Sequence, residues 1–305
     1  VGSVPAIRRP RSRSRLRPRP RPRSRRPGLA AASLAYLVGV ILTTAIPNPL
    51  GSNVGRLALL FGGPVLLALV ARGRLAVAVV VLLGGWQLSG VVPNLAHARD
   101  PAASPAHVAG LVAELHRVDA GRTRVEVVPE RDHWESAQVV TVAPLARGWE
   151  RQVDVARNPV FYNGRLTASS YRRWLGVNAV AWVALPAGPL DWRAGQEARI
   201  LRQPHPWLHE VWHDRWFTLW KVDDPTPLVS APGSVLAYDP AGLTLSVPYA
   251  ATVVIKMAWS PWLTVVGGQA CLRPHGRWTE LVAQAGGRYR LTSSYKLPRG
   301  SPCPA

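Results

Sequence analysis

Acidic residues are missing from the first 99 positions of this 305-residue chain, although 14 of its 37 Lys and Arg residues lie before residue 93. A single uniform globule is thereby excluded, because the first third is apolar plus arginine and the remainder is mixed. Two cysteines are too few for a zinc ribbon or a multi-disulfide scaffold. A glycine-rich phosphate loop, a G-x-S-x-G elbow and a dinucleotide-binding fingerprint are all lacking, so the sequence asks for no cofactor. What the chain has is 29 Pro, 13 Trp, a net charge of +20 and 48% hydrophobic residues. Its length suggests roughly two domains.

Residues 1–28 carry eleven arginines and almost nothing apolar to bury, so a disordered, extended tail is expected. Such a tail binds nucleic acid through phosphates or lies against anionic lipid beside a membrane span. The uncharged stretches next to it favour lipid. Residues 29–55 contain no charge, and further uncharged stretches run over 57–71 and 75–98. A helix crossing the hydrocarbon core needs about 20 apolar residues. Three spans are therefore expected, at 29–46, 54–71 and 75–92, the second requiring Arg56 to snorkel to the headgroups. A cleaved signal peptide fits less well, since the first apolar run exceeds a signal core. By the positive-inside rule, the tail with Arg25 and Arg26 and the loop with Arg72 and Arg74 set one cytoplasmic side. Residues 93–305 then lie outside the plasma membrane.

The outer part carries 23 basic and 17 acidic residues, as a soluble domain would. A linker is expected over 93–104, then a small α/β unit over 105–224 and an antiparallel β-sandwich over 225–305. Residues 124–129 and the apolar run 179–185 read as strands, with short helices ending near Leu175 and Leu201. Beyond Pro225, short alternating runs at 234–238, 243–247, 252–259, 263–266 and 289–295 are punctuated by Gly and Pro. The fold class is thus a membrane α-helical segment plus an exported α+β domain. Cys271 and Cys303 share the sandwich, where they are either a disulfide fixing the C-terminus or two unpaired thiols.

The sharpest motif is His209-Glu210-Val211-Trp212-His213, a literal H-E-x-x-H. Zinc peptidases use that spacing on a helix, where both imidazoles share a face. Here both flanks read as strands and His213-Asp214 as a hairpin turn. On a strand the two histidines sit ~13 Å apart, too far to share one zinc. No metal site is expected. Asp132-His133-Trp134-Glu135 sets a His among carboxylates, but without a nucleophile it reads as a loop or helix start. The twelve Trp after residue 93 suit either sugar stacking or packing and interface anchoring.

Several phrases carry a resemblance. They are Asn48-Pro49-Leu50-Gly51-Ser52-Asn53-Val54-Gly55-Arg56, Arg124-Val125-Glu126-Val127-Val128-Pro129 with His133-Trp134-Glu135, and Leu145-Ala146-Arg147-Gly148-Trp149-Glu150-Arg151-Gln152. Tyr171-Arg172-Arg173-Trp174-Leu175 and Glu210-Val211-Trp212 with Trp220-Lys221-Val222 complete the set. Together, over residues 29–300, they resemble the C-terminal portion of actinobacterial multi-spanning membrane proteins of the glycosyltransferase-C-like kind. The resemblance implies lipid-linked-sugar chemistry in the cell envelope. It also implies partners: the bilayer, a polyprenyl-phosphate sugar or envelope glycan, and a larger multi-spanning subunit. Such enzymes hold a catalytic carboxylate in an early outer loop, and residues 47–56 offer none. No catalytic residue is therefore assigned, and an accessory, truncated member or a membrane-anchored carbohydrate-binding module is expected.

Overall fold

The computed structural model describes residues 26–46, 60–65, 73–97 and 100–304. The arginine-rich stretch 1–25, including Arg25, lies outside the described residues, as do Arg72 and most of the expected second span. Two compact units divide the chain, Val1–Gly90 and Val91–Ala305.

The expectation of three spans is corrected. Among the described residues one helix is long and apolar enough to cross a membrane, Gly73–Leu95, with a mean hydropathy of 2.1 and none of its apolar window buried. It forms most of α2 (Gly73–His97), which contains Arg74. The first helix, α1 (Arg26–Ala45), begins at Arg26. Its apolar part, Ala30–Ala45, falls short. Sixteen residues at 1.5 Å each reach ~24 Å against a ~30 Å hydrocarbon core. Thr43 and Thr44 donate their hydroxyls to the carbonyls of Gly39 and Val40 at 2.9 and 2.8 Å. In apolar surroundings this back-bonding spares each hydroxyl an unmet hydrogen bond. Of the second stretch, residues 60–65 are described, and they are helical.

The second unit opens with α3 (Pro105–Arg117). Ser104 accepts from the Ala106 N–H as its cap, and Pro105 fills a first-turn position that needs no donor. Val108, Leu111 and Leu115 recur on one face and are buried. Next along the chain come β1 (Arg124–Val127), α4 (Trp134–Val139), α5 (Arg151–Arg157), α6 (Ala168–Val177), β2 (Val180–Pro186), α7 (Gly195–Leu201), β3 (Leu208–His213) and β4 (Phe217–Val222). Their sheet has the order β1-β2-β4-β3. The β1–β2 pair is parallel and the β2–β4 and β3–β4 pairs are antiparallel. The sheet of the expected α/β unit is therefore mixed. Strand β2 is apolar throughout because both its faces are covered. Val183 and Leu185 face one apolar cluster with Tyr171 and Leu175, while Ala184 faces another with Leu111 and Leu219.

The remaining strands are β5 (Ser234–Asp239), β6 (Gly242–Val247), β7 (Ala251–Ala258), β8 (Leu263–Val266), β9 (Ala270–His275), β10 (Trp278–Ala283) and β11 (Gly287–Ser293). They form sheets of order β7-β10-β9 and β5-β6-β11-β8. Leu243, Leu245 and Val247 point inward with period two, meeting Val253, Ile255, Leu272, Leu281 and Leu291 in one core. Each such side chain contributes ~1.5–3 kcal/mol on full burial. Cys271 and Cys303 are disulfide-bonded, with Cα atoms 4.7 Å apart. The bond holds the C-terminal strand segment where Leu272 bridges Pro302.

Candidate anion-binding cleft

Where the mixed sheet meets the sandwich, a cavity of about 610 Å³ is lined by Arg124, Arg157, Arg277, Asn158, Asn178, Trp259 and Trp278, among others, and among the described residues by no acidic one. Each polar group arrives by a local device. Arg277 sits in the two-residue turn joining β9 to β10, whose first position is Gly276 at φ +58°. Glycine there lets the backbone turn without a Cβ clash. Asn178 closes α6 and donates to the Trp174 carbonyl at 2.8 Å. Arg157 and Asn158 end α5, and Arg124 begins β1.

Asn178 ties the cationic groups together. Its backbone carbonyl accepts from Arg124 Nη1 at 3.1 Å, and its Oδ1 accepts from Arg277 Nη2 at 2.7 Å. Arg124 Nη2 donates to the Lys256 carbonyl at 2.5 Å, whereas the buried Nε has no partner among the described residues. Arg124 is 8% exposed, and among the described residues no carboxylate pairs with it. Burial, followed by repulsion from Arg277, lowers its pKa to about 10. Burial and then Arg157 lower that of Arg277 as well. Burial and like charge both act here, and guanidinium groups without an acid beside them offer donors to an anionic ligand. The Trp278 ring carries Arg277 at 4.1 Å, Lys256 at 5.4 Å and Arg124 at 5.9 Å, so the ring and the charges form one surface.

Behind the cleft, a buried ionic network fixes α5 in place. Arg147 donates to Glu126 through Nε at 2.8 Å and to Glu197 through Nη2 at 2.5 Å, and lies 3.7 Å over the Phe161 ring. Tyr171 donates to the other Glu197 oxygen at 2.8 Å. Asp154 on α5 accepts from Asn158 at 2.7 Å and Tyr162 at 2.5 Å, and Asn158 accepts from Trp174 Nε1 at 2.9 Å. Burial would lower the Arg147 pKa, but Glu126, Glu197 and Asp154 together raise it. Burial pushes Glu126 and Glu197 up, while the Arg147 guanidinium between them pulls both back down.

A second cavity of about 540 Å³ shares Arg124, Leu145 and Met257 with the cleft. Its walls are mainly apolar, including Val140, Pro144, Tyr238, Leu263 and Leu291. Its one acid, Asp239, is paired with Arg290 at 2.8 Å.

The sequence motifs fall elsewhere. His209–His213 lies within strand β3, with His209 exposed and 2.7 Å from Asp223, and His213 2.8 Å from Glu210. Among the described residues no group of three or more His, Cys, Asp or Glu could hold a metal ion. His133 stands just before α4 at φ +60°, makes no capping bond with its side chain and faces Asp191 at 3.5 Å, while Glu135 is buried. Burial lifts the Glu135 pKa to about 8. Cys271 and Cys303 stand apart from the cleft lining, and Arg26 and Arg74 belong to the first unit. Sequence reasoning missed Arg124, Arg157, Arg277 and Asn178. The only signal was an arginine opening an apolar strand at Arg124, where a charge otherwise lacks a reason.

Residues 268–305 match a family described as a domain of unknown function (DUF8823). The matched segment holds β9, β10, β11 and the disulfide, and therefore contributes Arg277 and Trp278 to the cleft. No curated protein and no solved structure matches the chain.

Proposed function

We propose that this protein is a membrane-attached, substrate-recognising accessory of a cell-envelope glycosyl-transfer system, and that its cleft holds a saccharide phosphate. The observation that carries this reading is the acid-free cavity with three arginines and two tryptophans. Arginine forks match phosphate oxygens and indole faces stack on sugar rings, while Asn178, already bonded to Arg124, Arg277 and Trp174, holds the two arginines in place. The adjoining apolar cavity suits the first part of a lipid carrier, in keeping with the glycosyltransferase-C-like resemblance. The role is binding rather than turnover, since the cleft offers no carboxylate as a base. The disulfide supports an extracytoplasmic domain, because such bonds persist in oxidising compartments. The helix Gly73–Leu95 supplies the attachment.

The test is titration of the purified full chain with a hexose 1-phosphate and with the same neutral hexose, monitored by tryptophan fluorescence. The phosphate ester should bind and the neutral sugar should not. Arg277→Gln should weaken binding ~10–100-fold, since a hydrogen bond to a charged group contributes ~1.5–3 kcal/mol. Equal affinity for both sugars, or no change in the variant, would refute the reading.

A further inference from the structure

Among the described residues of the second unit, three tryptophans are exposed, Trp134, Trp149 and Trp192, and loop contacts gather them in one region. The chain at 129–134 runs beside that at 189–191. Arg131 donates its N–H to the Pro189 carbonyl at 3.0 Å, and Asp191 donates to Pro129 at 2.9 Å. Trp192 adjoins Asp191, which lies 3.5 Å from His133 and 2.5 Å from Arg151, two residues beyond Trp149. Arg193 and Arg151 stand 4.1 and 5.4 Å from the Trp192 ring. Asp100 belongs to the same region, paired with Arg131 at 2.5 Å.

Asp100 stands five residues beyond Leu95, the end of the helix able to cross a membrane. Five residues span at most ~17 Å, so a bilayer holding that helix lies within reach of this loop layer. We infer that Trp134, Trp149 and Trp192 form a bilayer-docking face, their rings seated at headgroup level. Indoles favour that depth because the ring is apolar and its N–H still finds water or phosphate. Arginine beside the ring serves the same layer. Arg131 and Arg151 are matched by Asp100, Asp132 and Asp191, so the face docks by ring insertion and not by net charge. Docking is therefore insensitive to the fraction of anionic lipid.

The full chain is reconstituted in nanodiscs of phosphatidylcholine, or of phosphatidylcholine with phosphatidylglycerol, each with or without acyl chains brominated near the headgroup. Bromine should quench the wild type equally in both lipids, and the variant with all three residues changed to Phe should retain only the quenching due to Trp86 and its helix. Phe keeps an apolar ring at exposed positions, and far-UV circular dichroism checks that the variant is folded. Equal bromine quenching in wild type and variant would overturn the inference. So would protection of the three rings from acrylamide by a soluble glycan in place of lipid, which would make the face a sugar-stacking surface.

Discussion

Glu135 offers the sharpest test of the buried electrostatics. Its side chain is 1% exposed, and among the described residues its Oε2 has no hydrogen-bond partner. Burial is the main cause that raises its pKa from 4.5 to about 8, with the nearby Glu130 charge adding to it. An unfolded chain would release this proton near pH 4.5, whereas the folded one keeps it until about pH 8. Between those values the folded state binds more protons, so stability falls as pH rises through the window and levels off above it. At ~1.4 kcal/mol per pH unit, the interval from 4.5 to about 8 amounts to at most ~5 kcal/mol. Glu135→Gln removes the titration while keeping the shape. Its buried amide adds a cost of ~1–3 kcal/mol, but that cost does not vary with pH. The stability difference, variant minus wild type, should therefore rise by several kcal/mol from pH 5 to pH 8 and then flatten. Urea unfolding of the full chain in detergent, monitored by tryptophan fluorescence at several pH values, measures it. Glu126 and Glu197 titrate in both proteins and cancel in the difference. A difference that stays constant from pH 5 to pH 8 would show that Glu135 is ionised in the folded protein and refute the reasoning.

Replacing Cys271 and Cys303 by Ser opens a loop with a sequence separation of 32, which should cost ~3–4 kcal/mol in urea unfolding by the loop-entropy relation. An unchanged midpoint would show that the C-terminal segment is held by its backbone bonds alone. Arg147→Leu leaves Glu126 and Glu197 buried without their cation and should destabilise the domain by ~3–5 kcal/mol, measured the same way. Combining it with Glu126→Gln should recover part of that loss, and no recovery would deny the pairing.

The sequence by itself determined the elements whose causes are local. The alternation in Leu243, Leu245 and Val247 and in Tyr289 and Leu291 marks strands because one face of each is buried in the sandwich. The apolar run beginning at Leu75 marks α2 because an uninterrupted uncharged stretch of that length is itself the signal. The H-E-x-x-H motif is legible as a strand from its β-branched and aromatic flanks, and β3 is where it lies. Strand β9 is hidden from pattern reading because Pro274 interrupts it, which the chain tolerates at the edge of the β7-β10-β9 sheet. Likewise the first apolar run has a composition of spanning length, although its apolar helix covers only Ala30–Ala45. Only the tertiary structure decided the cleft. Arg124 and Arg277 are far apart in sequence, and no local pattern marks either as functional. They meet because Asn178 bonds both across the joint between the mixed sheet and the sandwich. The same holds for Glu126, Arg147 and Glu197, which read as ordinary surface charges until packing removes their water. Charge in a sequence is local, but desolvation is a property of the whole fold, and it is desolvation that gives these groups their chemistry.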